Sequence, residues 1–294
     1  MQGVFHHLSL ILIIAAAAPA SVGTADLLVL SSPGFPSVMM LGPGGSALCE
    51  GPEASSGNPA LITTGFTAAG GKWNLGTTAV STAAGFRVQG MDMSVSVRTL
   101  GRANIIRRDA SGEATGGYSY STGSMVAGLS FAVLPWLRAG LAAGTAWEKV
   151  DYEEGMGPVF SAGLAFTPSG FFRAGLAVDG LGNSPDWNGI HKAMPVRISM
   201  AAAVFPFTFA AFFAGASEGL NTTGSFGGGA VFSLADMEIS GGYGFSPGEA
   251  EISGFFAGLR YSYGSRKTYV VELSCAERHD LSRPVMAGLS VRFR

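Results

Sequence analysis

Charge is scarce in this chain of 294 residues. Only 13% of them are Asp, Glu, Lys or Arg, against about 25% in ordinary soluble domains. Lysine occurs at four positions alone, Lys72, Lys149, Lys192 and Lys267. A net charge of −2 argues against nucleic acid as a partner. Long apolar runs are also missing: beyond residue 20 none approaches the roughly 18 to 20 residues that a spanning helix needs. That excludes membrane helices. Histidine is limited to His6, His7, His191 and His279, and cysteine to Cys49 and Cys275. No nucleophile, base and orienting group can be assembled from so few, so no catalytic residue, cofactor or metal site is expected. Glu277, His279 and Asp280 come closest, but they read as a solvated loop with no supporting shell. Arg107-Arg108-Asp109 and Asp151-Tyr-Glu-Glu154 read as loop charges in the same way.

Glycine and apolar residues fill the space left by charge. The chain holds 44 Gly and is 47% hydrophobic, too apolar to be disordered. High hydropathy without a long apolar run points to a transmembrane β-barrel, whose strands need only about 9 to 11 alternating residues. The expected fold is therefore an all-β, membrane-spanning antiparallel up-and-down barrel. Fourteen segments fit it: 61–70, 76–88, 91–101, 117–132, 136–149, 157–167, 170–179, 194–206, 208–216, 223–233, 235–245, 250–263, 267–276 and 284–293.

Alternation is clearest in four of these segments. Met91, Met93, Val95 and Val97 oppose Asp92, Ser94, Ser96 and Arg98, and Leu137, Leu141 and Trp147 oppose Arg138, Gly140 and Glu148. Phe172, Leu176 and Val178 oppose Arg173 and Asp179, and Ile198, Met200 and Val204 oppose Arg197 and Ser199. A water-facing sheet would carry Lys and Glu on its polar face. Here that face carries Gly, Ser and Ala with a few charges, which suits a crowded lumen. Inward candidates are Asp92, Arg98, Arg138, Glu148, Arg173, Asp179, Arg197, Arg260, Glu272 and Arg292. They should pair, because an isolated charge in a confined space is expensive. Phe256 is also read as inward. In the last segment Val285, Ala287, Leu289, Val291 and Phe293 form one apolar row, which makes Phe293 the candidate insertion signal.

Links sort into tight turns (Val133–Pro135, Thr167–Gly170, Phe205–Phe207, Leu234–Ala235) and longer loops (Asn104–Gly116, Val150–Met156, Gly180–Ala193, Gly215–Thr222, Glu277–Arg283). That asymmetry is usual for outer-membrane barrels, as are aromatic girdles at segment ends, for which Trp136, Trp147, Phe171, Phe172, Phe205, Phe207, Tyr261 and Tyr263 are candidates. Residues 1–20 read as a signal peptide, with an apolar core from Leu8 to Ala18 and a small-x-small site at Ala18-Pro-Ala20. Residues 21–60 are dense in Pro and Gly and read as an irregular segment packed on or into the periplasmic end, with residues 61–294 as the barrel. Gly42-Pro-Gly-Gly45 lacks the lysine of a phosphate loop. Cys275 falls on the lipid-facing row and cannot reach Cys49, so two free thiols are expected.

Met40-Leu-Gly-Pro-Gly-Gly-Ser-Ala47, followed by Glu53-Ala-Ser-Ser-Gly-Asn-Pro-Ala-Leu61, resembles the N-terminal motif of the PorV/PorQ-like outer-membrane proteins, within the FadL-like superfamily of fourteen-stranded barrels. Gly42, Gly44, Gly45, Asn58 and Pro59 carry the likeness. The stretches from Phe172 to Gly182 and from Met194 to Ala201 resemble that family's seventh and eighth strands. The interval between Gly45 and Asn58 is shorter than in the family, the acidic stretch is reduced to Glu50 and Glu53, and the Gly after Asn-Pro-Ala is missing. The resemblance implies a non-enzymatic role in the outer membrane of a Gram-negative-type bacterium, in protein secretion or outer-membrane passage. Its implied partners are outer-membrane lipid, the barrel-assembly machinery and a secretion apparatus or its cargo. The alternatives are a FadL-like transporter of hydrophobic compounds, with a hydrophobic small molecule as partner, and a secreted soluble β-rich binding protein.

Overall fold

The computed structural model describes residues 28–73, 76–182, 186–187, 190–191, 194–219, 222–246, 254–264, 267–277 and 283–293. The expected signal segment, His279, Asp280 and Arg294 lie outside them. Fourteen antiparallel strands form one closed barrel. In chain order they are β1 (Gly65–Lys72), β2 (Thr78–Val88), β3 (Met91–Arg108), β4 (Ala114–Leu134), β5 (Leu137–Val150), β6 (Glu153–Ser169) and β7 (Phe172–Gly182). A small hairpin, β8 (Asp186–Trp187) and β9 (Ile190–His191), stands apart. The wall resumes with β10 (Arg197–Phe207), β11 (Ala210–Gly219), β12 (Thr222–Leu234), β13 (Met237–Phe245), β14 (Gly254–Tyr263), β15 (Lys267–Ala276) and β16 (Val285–Phe293). Closure joins β1 to β16, in register from Gly65↔Arg292 to Lys72↔Val285. In lipid every backbone N–H and C=O must be satisfied within the protein, and closure leaves no open edge.

Two-residue alternation decides which side chains meet lipid. In β16, Val285, Leu289 and Phe293 are exposed, whereas Met286 and Ser290 are buried. In β3, Asp92, Ser94, Ser96 and Arg98 all point inward and are buried. Two-residue turns at 89–90, 135–136, 170–171, 208–209 and 235–236 mark one end of the barrel, called here the turn end. Trp136, Phe171, Phe207, Phe209, Tyr261, Tyr263 and Phe293 project from the outer wall near it, all substantially exposed. Trp147 lies elsewhere, toward the opposite or loop end, over Gly123 of the neighbouring strand.

Several boundaries differ from the sequence reading. The wall begins at Gly65 rather than residue 61, because Asn58 caps a 3₁₀ turn at Pro59–Leu61 by accepting from the Ala60 N–H, and Ile62 is fully buried inside. The expected loop Asn104–Gly116 is largely strand, with only residues 109–113 outside β3 and β4. A register shift between Arg102 and Ile105, with Asn104 at φ 56°, interrupts the alternation there and hides the strand. Only Asp151–Tyr152 separate β5 from β6, and β11 runs on to Gly219. Phe205-Pro206-Phe207 is strand rather than turn: Pro206 lies within a register shift between Val204 and Phe207, where its missing N–H costs no ladder bond.

Candidate functional site

The lumen is occupied by the chain's own residues 29–63, hereafter the plug. Short helical turns at Pro36–Met39 and Gly45–Leu48, and 3₁₀ turns at Pro52–Ser56 and Pro59–Leu61, are joined by glycines and prolines. Such short turns cannot be stable alone, and the wall supplies the missing support. The plug makes a circuit of the barrel and meets a glycine on many of the strands it passes. A Cβ at Gly288 would meet Pro36, at Gly258 Met40, at Gly244 Pro43, and at Gly175 the Ala47 carbonyl. Likewise one at Gly163 would meet Asn58, at Gly140 the Pro59–Ala60 peptide, at Gly128 Ile62 and Ser55, and at Gly85 Thr63 and Pro52.

Register turns some of these small residues into a row. Gly175 pairs with Ala201 and Ala201 with Gly215. Gly215 pairs with Gly227, Gly227 with Gly244, and Gly244 with Gly254. The row crosses six strands, and residues 43–47 lie against it at Gly175, Gly215 and Gly244. Gly42 and Gly44 bend the plug into it at φ 60° and 79°, conformations only glycine adopts freely. Gly42 fits against the ring of Phe256, which is buried and packs on Phe213 with centroids 6.0 Å apart. Gly45 opens the Gly45–Leu48 turn against the Val38 carbonyl.

Polar side chains pin this segment from both sides. Asn58 is fully buried. Its Nδ2 donates to the Ala47 carbonyl at 3.1 Å and to Leu164 of β6 at 3.0 Å, while its Oδ1 accepts from Ala60 N at 3.1 Å. Arg138 donates to the carbonyls of Ala60 at 3.1 Å and Ile62 at 3.4 Å, and pairs with Asp92 at 2.6 Å. Asp92 also pairs with Arg87 at 2.7 Å. Arg173 reaches Glu50 at 2.8 Å, and Arg292 Nη2 donates to the Glu50 carbonyl at 3.2 Å. Arg98 is buried, with Nη1 donating to the Ser32 carbonyl at 3.4 Å. The remaining inward charges bridge strands: Arg197 to Asp179 at 3.2 Å, and Arg260 to Glu272 at 2.8 Å and Glu238 at 3.0 Å. Glu148 accepts from the Tyr120 hydroxyl at 2.6 Å. Of the ten inward candidates, Arg98, Arg138, Arg173 and Arg292 reach the plug directly. Asn58→Ala is expected to weaken plug seating by about 2–5 kcal/mol, since it leaves buried groups unpaired at about 1–3 kcal/mol each. Hydrogen exchange at residues 45–62 reads that loss, and unchanged protection counts against it.

Arg87, Glu238, Tyr120 and Glu53 were not singled out as lumen groups from the sequence. Glu53 carried one available signal, a lone carboxylate among small residues in a Gly/Pro-rich stretch. It is 1% exposed and accepts from Ser37 Oγ at 2.9 Å and Thr67 Oγ1 at 3.0 Å. Burial pushes its carboxyl above the usual carboxylate range; Arg292 pulls it partly back and Glu272 pushes it further up. Cys49, with its Sγ 3.9 Å from Glu53, is raised chiefly by the same burial. Both thiols are free, Cys49 buried and Cys275 exposed on the outer wall.

The plug divides the lumen. In the loop half Leu100, Val126, Ala142, Ala146 and Val159 of the wall form one apolar cluster, with Val29, Leu30, Trp73 and Met194 packed into it. At the turn end a cavity of about 460 Å³ lies below the plug, lined by Thr63, Thr64, Glu238, Arg260, Arg292 and Phe293 among others.

No family model and no curated protein sequence matches the chain. Solved structures do. The Ralstonia pickettii toluene transporter TbuX aligns with TM-score 0.64 at 14% identity, over 88% of this chain and 98% of the transporter. The chain shares the fold of that barrel. The CymD monoaromatic hydrocarbon channel aligns with TM-score 0.64 at 10% identity, over 88% of this chain and 99% of the channel. The Pseudomonas putida toluene transporter TodX gives 0.63 at 10% identity, over 87% and 96%. At such identities the likeness is one of architecture, and the PorV/PorQ resemblance rests on the motif residues alone.

Proposed function

We propose that the chain is a non-enzymatic outer-membrane conduit for small hydrophobic compounds in a Gram-negative-type bacterium. One observation carries this reading: residues 29–63, held by side-chain contacts and not by a strand ladder, stand between a cluster of apolar residues on the loop side and a cavity of about 460 Å³ at the turn end. An apolar solute partitions into the first by the hydrophobic effect, and displacement of the plug connects it to the second. The shared architecture with toluene and monoaromatic hydrocarbon channels supports it. Lipid of the outer membrane surrounds the exposed apolar band, and the barrel-assembly machinery is the partner that inserts it.

Uptake of radiolabelled toluene by cells with and without the protein tests the proposal. Ala142→Trp and Ala146→Trp, which add bulk within the loop-side apolar cluster, are expected to reduce uptake to that of cells lacking the protein. Heat-modifiable gel mobility should be unchanged. Uptake that is equal with and without the barrel overturns the reading. The secretion-associated role keeps one supporting observation, namely that its motif residues Gly42, Gly44, Gly45, Asn58 and Pro59 build the plug. Co-purification of exported proteins with the barrel, in the absence of toluene uptake, would favour it.

A further inference from the structure

We propose that the plug seat is a proton-controlled latch, closed while Glu53 is protonated and released when it ionises. The carboxyl joins three separate pieces of the molecule. Glu53 stands on the Pro52–Ser56 turn, Ser37 on the Pro36–Met39 turn, and Thr67 on wall strand β1. Thr67 Oγ1 also lies 3.1 Å from Ser290 Oγ of β16, so the contact reaches the seam where the barrel closes. All four side chains are buried.

The environment favours the neutral acid. Among the described residues none of the ion pairs includes Glu53. Its side-chain neighbours are the Ser37 and Thr67 hydroxyls and the Cys49 thiol, and an oxygen of Ser37 or Thr67 can accept the proton of a neutral carboxyl. Desolvation is the largest effect on this buried carboxyl, ahead of the Ser37 and backbone hydrogen bonds that favour its charged form. The charged groups facing it do not cancel that penalty. Arg292 on β16 favours ionisation from a distance, while its Nη2 is engaged by the Glu50 carbonyl. Glu272 on β15 opposes ionisation, and Arg260 behind it is held by Glu272 and Glu238. Cys49 within the plug adds no cation. On β2, β3 and β5, Arg87, Asp92 and Arg138 form their own paired set.

The sign follows from linkage. The seated plug retains a proton over a pH range in which the released plug, with Glu53 in water, has lost it. Seating is therefore strongest below the ordinary carboxylate value and weakens as pH rises toward the raised seated value. Across that window the released fraction grows by up to about tenfold per pH unit, and above it levels off.

Cys49 supplies a reporter inside the seat. Cys275→Ala removes the outer thiol, and N-ethylmaleimide then reads Cys49 alone in the full-length barrel. The rate is measured across pH in this background with Glu53 and with Glu53→Gln, an isostere of the neutral acid. Labelling proceeds from the released plug, where Cys49 lies in water and has left the Glu53 contact that raises it in the seat, so the thiol's pH dependence there is common to both proteins and drops out of the ratio. The rate with Glu53, divided by the rate with Glu53→Gln, is expected to start near unity and rise by up to about tenfold per unit above pH about 4.3. A flat ratio overturns the latch. So does a Glu53→Gln protein that reacts faster at every pH, which would mean that the seat requires the charge. If Glu53→Gln fails to assemble, hydrogen exchange in the unaltered protein decides. Corrected for intrinsic rates, residues 36–63 should lose protection relative to β3 between about pH 5.5 and about pH 8, and equal protection at both overturns the proposal. Neither readout involves a transported compound, so the latch and the conduit fail independently.

Discussion

Removal of Phe293 together with Arg294 is expected to abolish assembly in the outer membrane, whereas removal of Arg294 alone leaves it intact. The physical contrast lies in how little of the folded barrel depends on Phe293. Its N–H donates to the Thr64 carbonyl at 3.3 Å, and its carbonyl accepts from Thr64 Oγ1 at 2.9 Å. Its ring lies 5.9 Å from Lys267 Nζ and stays 47% exposed on the outer wall. The ladder between β1 and β16 starts one residue earlier, at Gly65↔Arg292, and is left whole. Two hydrogen bonds near about 1 kcal/mol each do not hold a fourteen-stranded barrel together. The truncated protein should therefore refold in detergent with a small loss of stability, yet fail to reach a heat-modifiable form in cells. Such a split identifies the terminal aromatic as a recognition signal for insertion. Normal cellular assembly without Phe293 would reduce it to one girdle residue among several.

Gly175→Val and Gly140→Val are expected to lift the plug without breaking the wall. At Gly175 the new Cβ would occupy the space of the Ala47 carbonyl oxygen, and at Gly140 that of the Pro59–Ala60 peptide. Both obstacles are backbone, so no rotamer change relieves the clash. Overpacking of a tight core typically costs about 1–3 kcal/mol. Here the plug is the lighter partner, held by side-chain hydrogen bonds rather than by a ladder, and it yields before the strands do. Valine is itself favourable in a strand, and heat modifiability should persist. Each 1.4 kcal/mol of lost seating raises the open fraction about tenfold, which maleimide labelling of Cys49 reads directly. Gly170→Val is the control, because a Cβ there meets nothing within 4 Å. Labelling equal to that control would show that the plug does not depend on the glycine row.

The barrel was legible because its cause is local. Alternation in β3, β5, β7 and β10 requires only that one face meet lipid and the other a crowded interior, and each strand declares this separately. The same alternation placed Arg98, Asp179 and Glu272 inward. It failed where the pattern is interrupted by geometry rather than by composition, as at the bulge near Asn104 and at Pro206. It also failed at residues 61–64, whose apolar Leu61 and Ile62 face plug and wall instead of lipid. Alternation says nothing about a segment without regular structure, so Glu53 and Asn58 could be noticed in sequence but not given partners.

Composition and local pattern pointed to a closed membrane barrel: with little charge, no apolar run beyond residue 20 long enough for a spanning helix, and alternating segments joined by turns, closure is how such strands satisfy their backbone in lipid. Its many glycines were equally visible, but not their purpose. Only register across neighbouring strands sets Gly175, Ala201, Gly215, Gly227, Gly244 and Gly254 side by side, in a row against which residues 43–47 lie. Pairing among Arg138, Asp92 and Arg87, and the enclosure of Glu53 by Ser37 and Thr67, arise in the same way. Which face a residue takes follows from its immediate neighbours in the chain. What it touches there depends on strands distant in sequence, and only closure of the barrel brings them together.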